Sequence, residues 1–289
     1  MVASSIDLSS RRDILSLVDV VSLFRQALPG YRPLLVGAMA RDVLLAFAYG
    51  IPIERATYDL DFAFAVDDWT EFLRIRDSLV ATGECSRDPA LAHRLLFRGN
   101  TRVDILPFGG VEETGRVLVW PPERATAMNV IGYREALADA VLVLLPGGDS
   151  LDVVSLPGLA ALKLFAWRDR RRSAPPYGKD AVDLWSIMLN FREAGNDERI
   201  YIDAAHLLEQ PDYDHRRAGA WLLGRDMRTL LTNGSGDALA PMLELLAKEV
   251  DADGSLDLAR DMRSTDAQTA LDLLRALNAG VKGEATPGT

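Results

Sequence analysis

A short apolar run, Leu34-Leu35-Val36, leads directly into Gly37, and residues 38–49 follow with the apolar spacing of a helix. The run is typical of a buried strand, and a glycine lets the chain turn sharply into the helix. The free N–H groups and positive dipole end of such a helix favour a bound phosphate. This segment therefore predicts either a phosphate-binding corner or a simple turn, and a lone glycine favours the simple turn.

Two aspartates stand two residues apart in the next strand-like segment, residues 59–64, where polar and apolar residues alternate. Asp59 and Asp61 would project from one face of a strand, and like charges that close repel unless they share a cation or a proton. Mg²⁺ prefers carboxylate and phosphate oxygens, so the pair is half of a magnesium site. Taken alone, Asp-x-Asp is more often a solvated strand edge, although the apolar neighbours argue against a purely solvated role.

A third aspartate, Asp104, lies on a different predicted strand. Residues 93–98 and 101–107 flank Gly99-Asn100, a tight-turn dipeptide, and are predicted to form a hairpin. If the strand of Asp104 pairs beside that of Asp61, three carboxylates converge. Three carboxylates can hold two metal ions, one that activates an attacking hydroxyl and one that neutralises a triphosphate and its leaving pyrophosphate.

The hydrophobic pattern changes near residue 156. Before it, predicted helices and strands alternate, including a second hairpin around residues 142–154, and after it the spacing is helical. We therefore predict an α+β chain with two domains. Residues 1–156 form a mixed β-sheet domain, and residues 157–289 form a helical one.

Composition limits the classes of function. The chain of 289 residues has 32 Lys and Arg against 42 Asp and Glu, and a net charge of −10 argues against indiscriminate nucleic-acid binding. A single cysteine, Cys85, excludes a disulfide framework and fits a reducing compartment. No stretch approaches the roughly 20 apolar residues that span a bilayer, and no secretory signal is recognisable. We expect a cytoplasmic protein without a membrane partner.

The motifs described above resemble the nucleotidyltransferase superfamily of DNA polymerase β, poly(A) polymerase and the CCA-adding enzymes. Its pattern is a strand, Gly-Gly or Gly-Ser, a helix, Asp-x-Asp and a later Asp, which corresponds here to Gly37-Ala38-Met39-Ala40-Arg41-Asp42, Asp59-Leu60-Asp61 and Asp104. The chain departs from the pattern at Ala38, which has no hydroxyl for a phosphate. That departure keeps open a catalytically idle nucleotide-binding or regulatory module.

Two later segments narrow the resemblance to the AbiEii/AbiGii-type nucleotidyltransferase toxins of abortive-infection and toxin–antitoxin systems. They are residues 156–170, LPGLAALKLFAWRDR, and residues 179–184, KDAVDL. The resemblance covers roughly residues 30–190 and implies a nucleotidyltransferase-fold first domain, with the second domain contributing to the active site. It implies Mg²⁺-dependent transfer of a nucleoside monophosphate from a nucleoside triphosphate to an acceptor hydroxyl.

The resemblance also implies roles for individual residues. Asp59, Asp61 and Asp104 would bind two Mg²⁺ ions, and Asp104 would help to activate the nucleophile. Lys163 would join these three as a catalytic residue. The implied contacts to the nucleotide and its triphosphate are Gly37, Ala38, Arg41, Lys163, Lys179, Asp180 and Asp183.

The residues themselves leave alternatives open in the second domain. Lys163 is the only charge among residues 156–167, so it either contacts a phosphate or extends to solvent. Asp180 and Asp183 share a helix face, and Lys179 has the spacing of an ordinary surface ion pair with Asp183.

The acceptor and the partners are the least determined part of the prediction. The densest basic run, Arg168, Arg170, Arg171 and Arg172, is typical of a solvated helix end, but beside the proposed site it would also suit an RNA backbone. The resemblance implies tRNA or another RNA as acceptor and an antitoxin as partner. A small-molecule acceptor is the alternative within the same enzyme class.

Overall fold

A computed structural model of the chain describes residues 5–53, 57–121, 127–171, 178–209, 214–233, 237–250, 256–264 and 266–285. It contains a large mixed sheet and many helices, which confirms the α+β prediction. The chain divides into two compact units, Met1–Val43 with Glu54–Ser155, and Leu44–Ile53 with Leu156–Thr289. The contacts of Leu44–Ile53 thus lie in the second unit, although the predicted boundary assigns this segment to the first.

The strands belong to the first unit. In chain order they are β1 (Ser5–Asp7), β2 (Leu34–Val36), β3 (Leu60–Val66), β4 (Cys85–Arg87), β5 (Arg94–Phe97), β6 (Thr101–Gly109), β7 (Val117–Val119), β8 (Ala127–Asn129), β9 (Val141–Leu144) and β10 (Ser150–Val153). Eight of them form one sheet in the order β1-β9-β10-β2-β3-β6-β5-β4, and β7 pairs with β8 separately. Strand β3 is antiparallel to β2 and parallel to β6.

The helices of the first unit are α1 (Leu15–Ala27), α2 (Gly37–Asp42), α3 (Trp69–Ala81) and α4 (Tyr133–Ala138). Helix α2 begins at the residue after β2 and continues into a π-helical turn, Val43–Phe47, so the predicted strand, glycine and helix are confirmed.

Strand β3 alternates as its sequence predicts. Leu60, Phe62 and Phe64 are no more than 1% exposed, and the ring of Phe24 in α1 packs edge-on against both phenylalanines. Asp61 lies on the other face and is half-buried. The apolar face of the strand therefore forms the core and leaves the acidic face for other contacts.

Both predicted hairpins are present, β5–β6 and β9–β10, but the turn between β5 and β6 is longer than the sequence suggested. It spans residues 98–100, where Arg98 and Gly99 have φ of +48° and +79°. This register places Arg94 opposite Asp104. A two-residue turn at Gly99-Asn100 would have placed Leu95 there instead.

The second unit is helical in its described parts. Its helices are α5 (Leu156–Arg170), α6 (Lys179–Asn190), α7 (Asp197–Asp203), α8 (Ala205–Leu208), α9 (His215–Asn233), α10 (Leu239–Val250), α11 (Asp257–Asp261) and α12 (Ala267–Lys282). Helices α9 and α12 approach closely at two glycines. A Cβ on Gly224 would lie 2.1 Å from the carbonyl oxygen of Leu277, and one on Gly280 would lie 2.1 Å from that of Trp221.

We expect Gly224→Ala to lower the free energy of unfolding by about 2–3 kcal/mol, because backbone atoms of α12 must move to admit the methyl group. Gly219→Ala is the matched control in the same helix, where the new Cβ would meet Arg192 at an ordinary 3.5 Å. That change should be neutral or stabilise by up to about 1 kcal/mol through helix propensity. Chemical denaturation measures both, and equal effects of the two substitutions would contradict the packing described here.

Candidate functional site

One row across the sheet brings together several of the predicted residues of the first unit. Val36 in β2 pairs with Asp61 in β3, Asp61 pairs with Asp104 in β6, and Asp104 pairs with Arg94 in β5. Directly paired residues on neighbouring strands project to the same face of a sheet. Asp61, Asp104 and Arg94 therefore stand side by side, with Asp104 in the middle.

Gly37 lies against the end of this row. Its φ is +73°, and a Cβ built on it would lie 2.2 Å from Oδ2 of Asp61. The position thus needs glycine both for its backbone conformation and for the approach of the Asp61 carboxylate. Ala38 follows as the second residue of α2 and is half-buried. Gly37 therefore does more than allow a turn, because it makes room for the Asp61 carboxylate at the start of α2.

Arg94 holds Asp104 in a bidentate ion pair. Its Nε and Nη2 donate to Oδ1 and Oδ2 of Asp104 at 2.7 and 2.8 Å. The side chains are 20% and 13% exposed, so the pair is largely shielded from water. The hydrogen bond to Asp104 raises the pKa of Arg94 above its ordinary value, against the opposing effect of burial. Asp104 thus has an internal counter-ion, which the sequence reasoning did not identify.

Asp59 and His93 lie beside the row. Asp59 immediately precedes β3, is 45% exposed, and has an oxygen 3.6 Å from Nη1 of Arg102. His93 Nε2 is 4.0 Å from Oδ2 of Asp104, and its ring lies 5.5 Å from that of Trp120. Burial lowers the pKa of His93 below its ordinary value, although Asp104 acts in the opposite direction.

The donor set suits Mg²⁺, but the protein alone does not build a complete cage. Among the residues that the structure describes, no group of three or more acidic, histidine or cysteine side chains is arranged to hold a metal ion. Mg²⁺ usually binds one or two carboxylates together with substrate phosphates. The paired residues Asp61 and Asp104 fit such an ion. The binding of two ions by Asp59, Asp61 and Asp104 together remains a prediction.

Arg41 is buried within the first unit. Its Nε and Nη2 donate to Oδ1 of Asp42 at 2.8 and 2.5 Å, and the two side chains are 4% and 3% exposed. Oδ2 of Asp42 accepts a hydrogen bond from the backbone N–H of Thr57 at 3.3 Å. These bonds connect α2 to the segment that precedes β3. A contact between Arg41 and a triphosphate stays a prediction.

Lys163 in the second unit neither lies at the surface nor extends to solvent. Its Nζ donates to Oδ2 of Asp183 at 2.5 Å and to Oδ1 of Asp180 at 3.3 Å, and its side chain is 9% exposed. Arg170 donates to both oxygens of Asp180 at 2.9 Å. Burial lowers the pKa of the Lys163 ammonium, but the charges of Asp183 and Asp180 outweigh it, so the pKa stands above its ordinary value. These four residues form a balanced charge cluster.

Lys179 does not make the surface ion pair that its spacing allowed. It is exposed at the start of α6, whereas Asp183 is buried and bonds to Lys163. The buried lysine, rather than the one four residues away, is therefore the partner of this carboxylate. Roles for Lys179, Asp180 and Asp183 in nucleotide binding stay predictions.

The basic run is largely balanced by acidic neighbours in the same unit. Arg168 bonds to Asp169 at 2.8 Å, and Arg171 bonds to Asp257 at 2.8 Å. Arg170 bonds to Asp180 as described above, and Arg172 lies outside the described residues. Charges already paired within the protein make a weaker footprint for an RNA backbone than the sequence alone suggested.

A mixed sheet with neighbouring aspartates behind a glycine turn is the arrangement expected of a nucleotidyltransferase. The family model of the AbiEii nucleotidyltransferase toxin, of type IV toxin–antitoxin systems, matches residues 23–278, and the chain belongs to this family. No curated protein and no solved structure gives a match. Membership supports a nucleotidyltransferase of a toxin–antitoxin system and suggests an antitoxin partner. Within the described ranges, no helix is both long and apolar enough to cross a membrane.

We expect Lys163→Met to lower the free energy of unfolding by about 3–5 kcal/mol, because it leaves buried carboxylates without their ammonium partner. Lys179→Met is the matched control, since it removes the same group from an exposed position and should change stability by less than about 0.5 kcal/mol. Urea denaturation of the two variants and the wild type measures this difference. A Lys163 variant as stable as the Lys179 variant would show that the cluster does not form.

Proposed function

We propose that this chain transfers a nucleoside monophosphate from a nucleoside triphosphate to a hydroxyl of an RNA, with tRNA as the first candidate, and releases pyrophosphate. The observation that carries the proposal is the row in which the Gly37 turn, Asp61 and Asp104 stand next to one another. It supports the proposal because it places two carboxylates suited to Mg²⁺ beside the start of a helix, and a helix start favours a bound phosphate.

In this proposal Asp61 and Asp104 hold Mg²⁺, which supplies charge neutralisation for the triphosphate when it is bound. Because Gly37 has no side chain, the Asp61 carboxylate lies close against the start of α2, where free N–H groups would favour a phosphate. Asp59 supplies a third carboxylate at the edge of the row. Ala38 contributes its backbone N–H but no hydroxyl.

The transfer itself exchanges one phosphorus–oxygen bond for another. The acceptor hydroxyl oxygen bonds to the α-phosphorus, the bond from that phosphorus to the β-bridging oxygen breaks, and pyrophosphate leaves with the electron pair. Asp104 is the residue proposed to accept the hydroxyl proton once Arg94 has released its carboxylate. Contacts of Lys163, Lys179, Asp180 and Asp183 with the nucleotide remain part of the proposal on the strength of family membership alone.

The RNA acceptor rests on family membership, and an antitoxin is the proposed protein partner. The net charge of −10 and the paired arginines of α5 weaken the case for a large nucleic acid, so a small-molecule acceptor is the first alternative. A catalytically idle nucleotide-binding module is the second alternative. The ion pair between Arg94 and Asp104 favours it, because it engages one of the two proposed metal ligands.

The test is incubation with each α-³²P-labelled nucleoside triphosphate, Mg²⁺ or Mn²⁺ and total cellular RNA. We expect the wild type to label a tRNA-sized band and Asp61→Asn to reduce labelling by about a hundredfold or more, because a ligand of the triphosphate-bound ion is lost. Asp67→Asn is the matched control, since this aspartate is exposed beyond the end of β3 and should leave labelling unchanged.

Other outcomes separate the alternatives. Label on a small molecule or on protein, lost again in Asp61→Asn, would keep the chemistry and contradict the RNA acceptor. Nucleotide binding without any transfer of label would contradict the enzyme and favour the idle module.

A further inference from the structure

We propose that Arg94 is a built-in competitor of the divalent cation at Asp104 and thereby sets the metal affinity of the site. The inference rests on the proposed function, since it assumes that Asp61 and Asp104 hold a metal ion. Arg94 is a positioning residue in this account, because it acts through the carboxylate that it holds. Nothing in the sequence motifs assigns it a role.

The competition follows from the geometry of the ion pair. Both oxygens of Asp104 already accept hydrogen bonds from Arg94, at 2.7 and 2.8 Å. A Mg²⁺ ion would need an oxygen of the same carboxylate at about 2.1 Å, and two cations that share one partly buried carboxylate repel each other. The two cations therefore compete for the charge of Asp104, and binding of the ion favours movement of Arg94 away from this carboxylate.

The sheet keeps Arg94 in place when no metal is bound. Arg94 and Asp104 are directly paired across the antiparallel strands β5 and β6, so the hairpin register alone brings the two side chains together. On its other side Asp104 is paired with Asp61. The guanidinium thus balances a carboxylate that would otherwise stand, partly buried, beside a second one.

Mn²⁺ binding without nucleotide tests the inference directly. Free Mn²⁺ is measured by electron paramagnetic resonance during titration of the wild type, Arg94→Ala, Arg94→Gln and Arg87→Ala. We expect Arg94→Ala to tighten the Kd for Mn²⁺ by about fivefold or more, because the variant lacks a repulsion worth about 1 kcal/mol between the guanidinium and the ion. Arg87→Ala is the control from the neighbouring strand β4. Arg87 pairs with Asp77 at the surface, so its removal should leave the Kd unchanged.

Arg94→Gln keeps a hydrogen-bond donor for Asp104 without the charge, so it reports on competition even if Arg94→Ala folds poorly. A Kd that is unchanged or weaker in both Arg94 variants would overturn the inference. Asp61→Asn separates this result from a failure of the proposed function. Binding that depends on Asp61 but not on Arg94 contradicts only the competition, whereas no binding in any variant, even with a non-hydrolysable nucleoside triphosphate analogue present, contradicts the metal site itself.

Discussion

The pairing of β3 between β2 and β6 is the constraint on which the candidate site depends. Phe62 and Phe64 fix the apolar face of β3 in the core, so the acidic face of the strand must point away from the core. The same pairing places Asp61 between the end of β2, where Gly37 begins the next helix, and Asp104 on β6. A shift of one residue in the register of β3 with β2 or with β6 would turn carboxylates toward the core. The free-energy cost of burying a charged group disfavours such a shift.

Internal cations accompany the candidate carboxylates in both units. Arg94 holds Asp104 in the sheet, and Lys163 with Arg170 holds Asp180 and Asp183 between helices of the second unit. A buried carboxylate without such a partner destabilises a fold by several kcal/mol. An acidic chain can therefore collect carboxylates at a site and remain folded without a ligand, and a ligand must then compete with these partners.

The sequence predicts the local structure better than the partners of its charged residues. The strand before Gly37, the alternation in β3 and both hairpins follow from patterns within about ten residues, where local sterics and burial act alone. The turn after β5 was misjudged because Arg98, a residue that seldom has positive φ, takes part in it. Because the turn contains this additional residue, Arg94 rather than Leu95 pairs with Asp104. The burial of Lys163 was missed because helical spacing gives a face but not the carboxylate it meets on another helix.

The most direct test of the account is a crystal structure with Mn²⁺ and a non-hydrolysable nucleoside triphosphate analogue, with anomalous scattering to locate the metal. We expect a Mn²⁺ peak bonded to oxygens of both Asp61 and Asp104, a phosphate against the Gly37 turn, and Arg94 displaced from Asp104. An intact pair between Arg94 and Asp104, with nucleotide bound and the metal elsewhere, would contradict it.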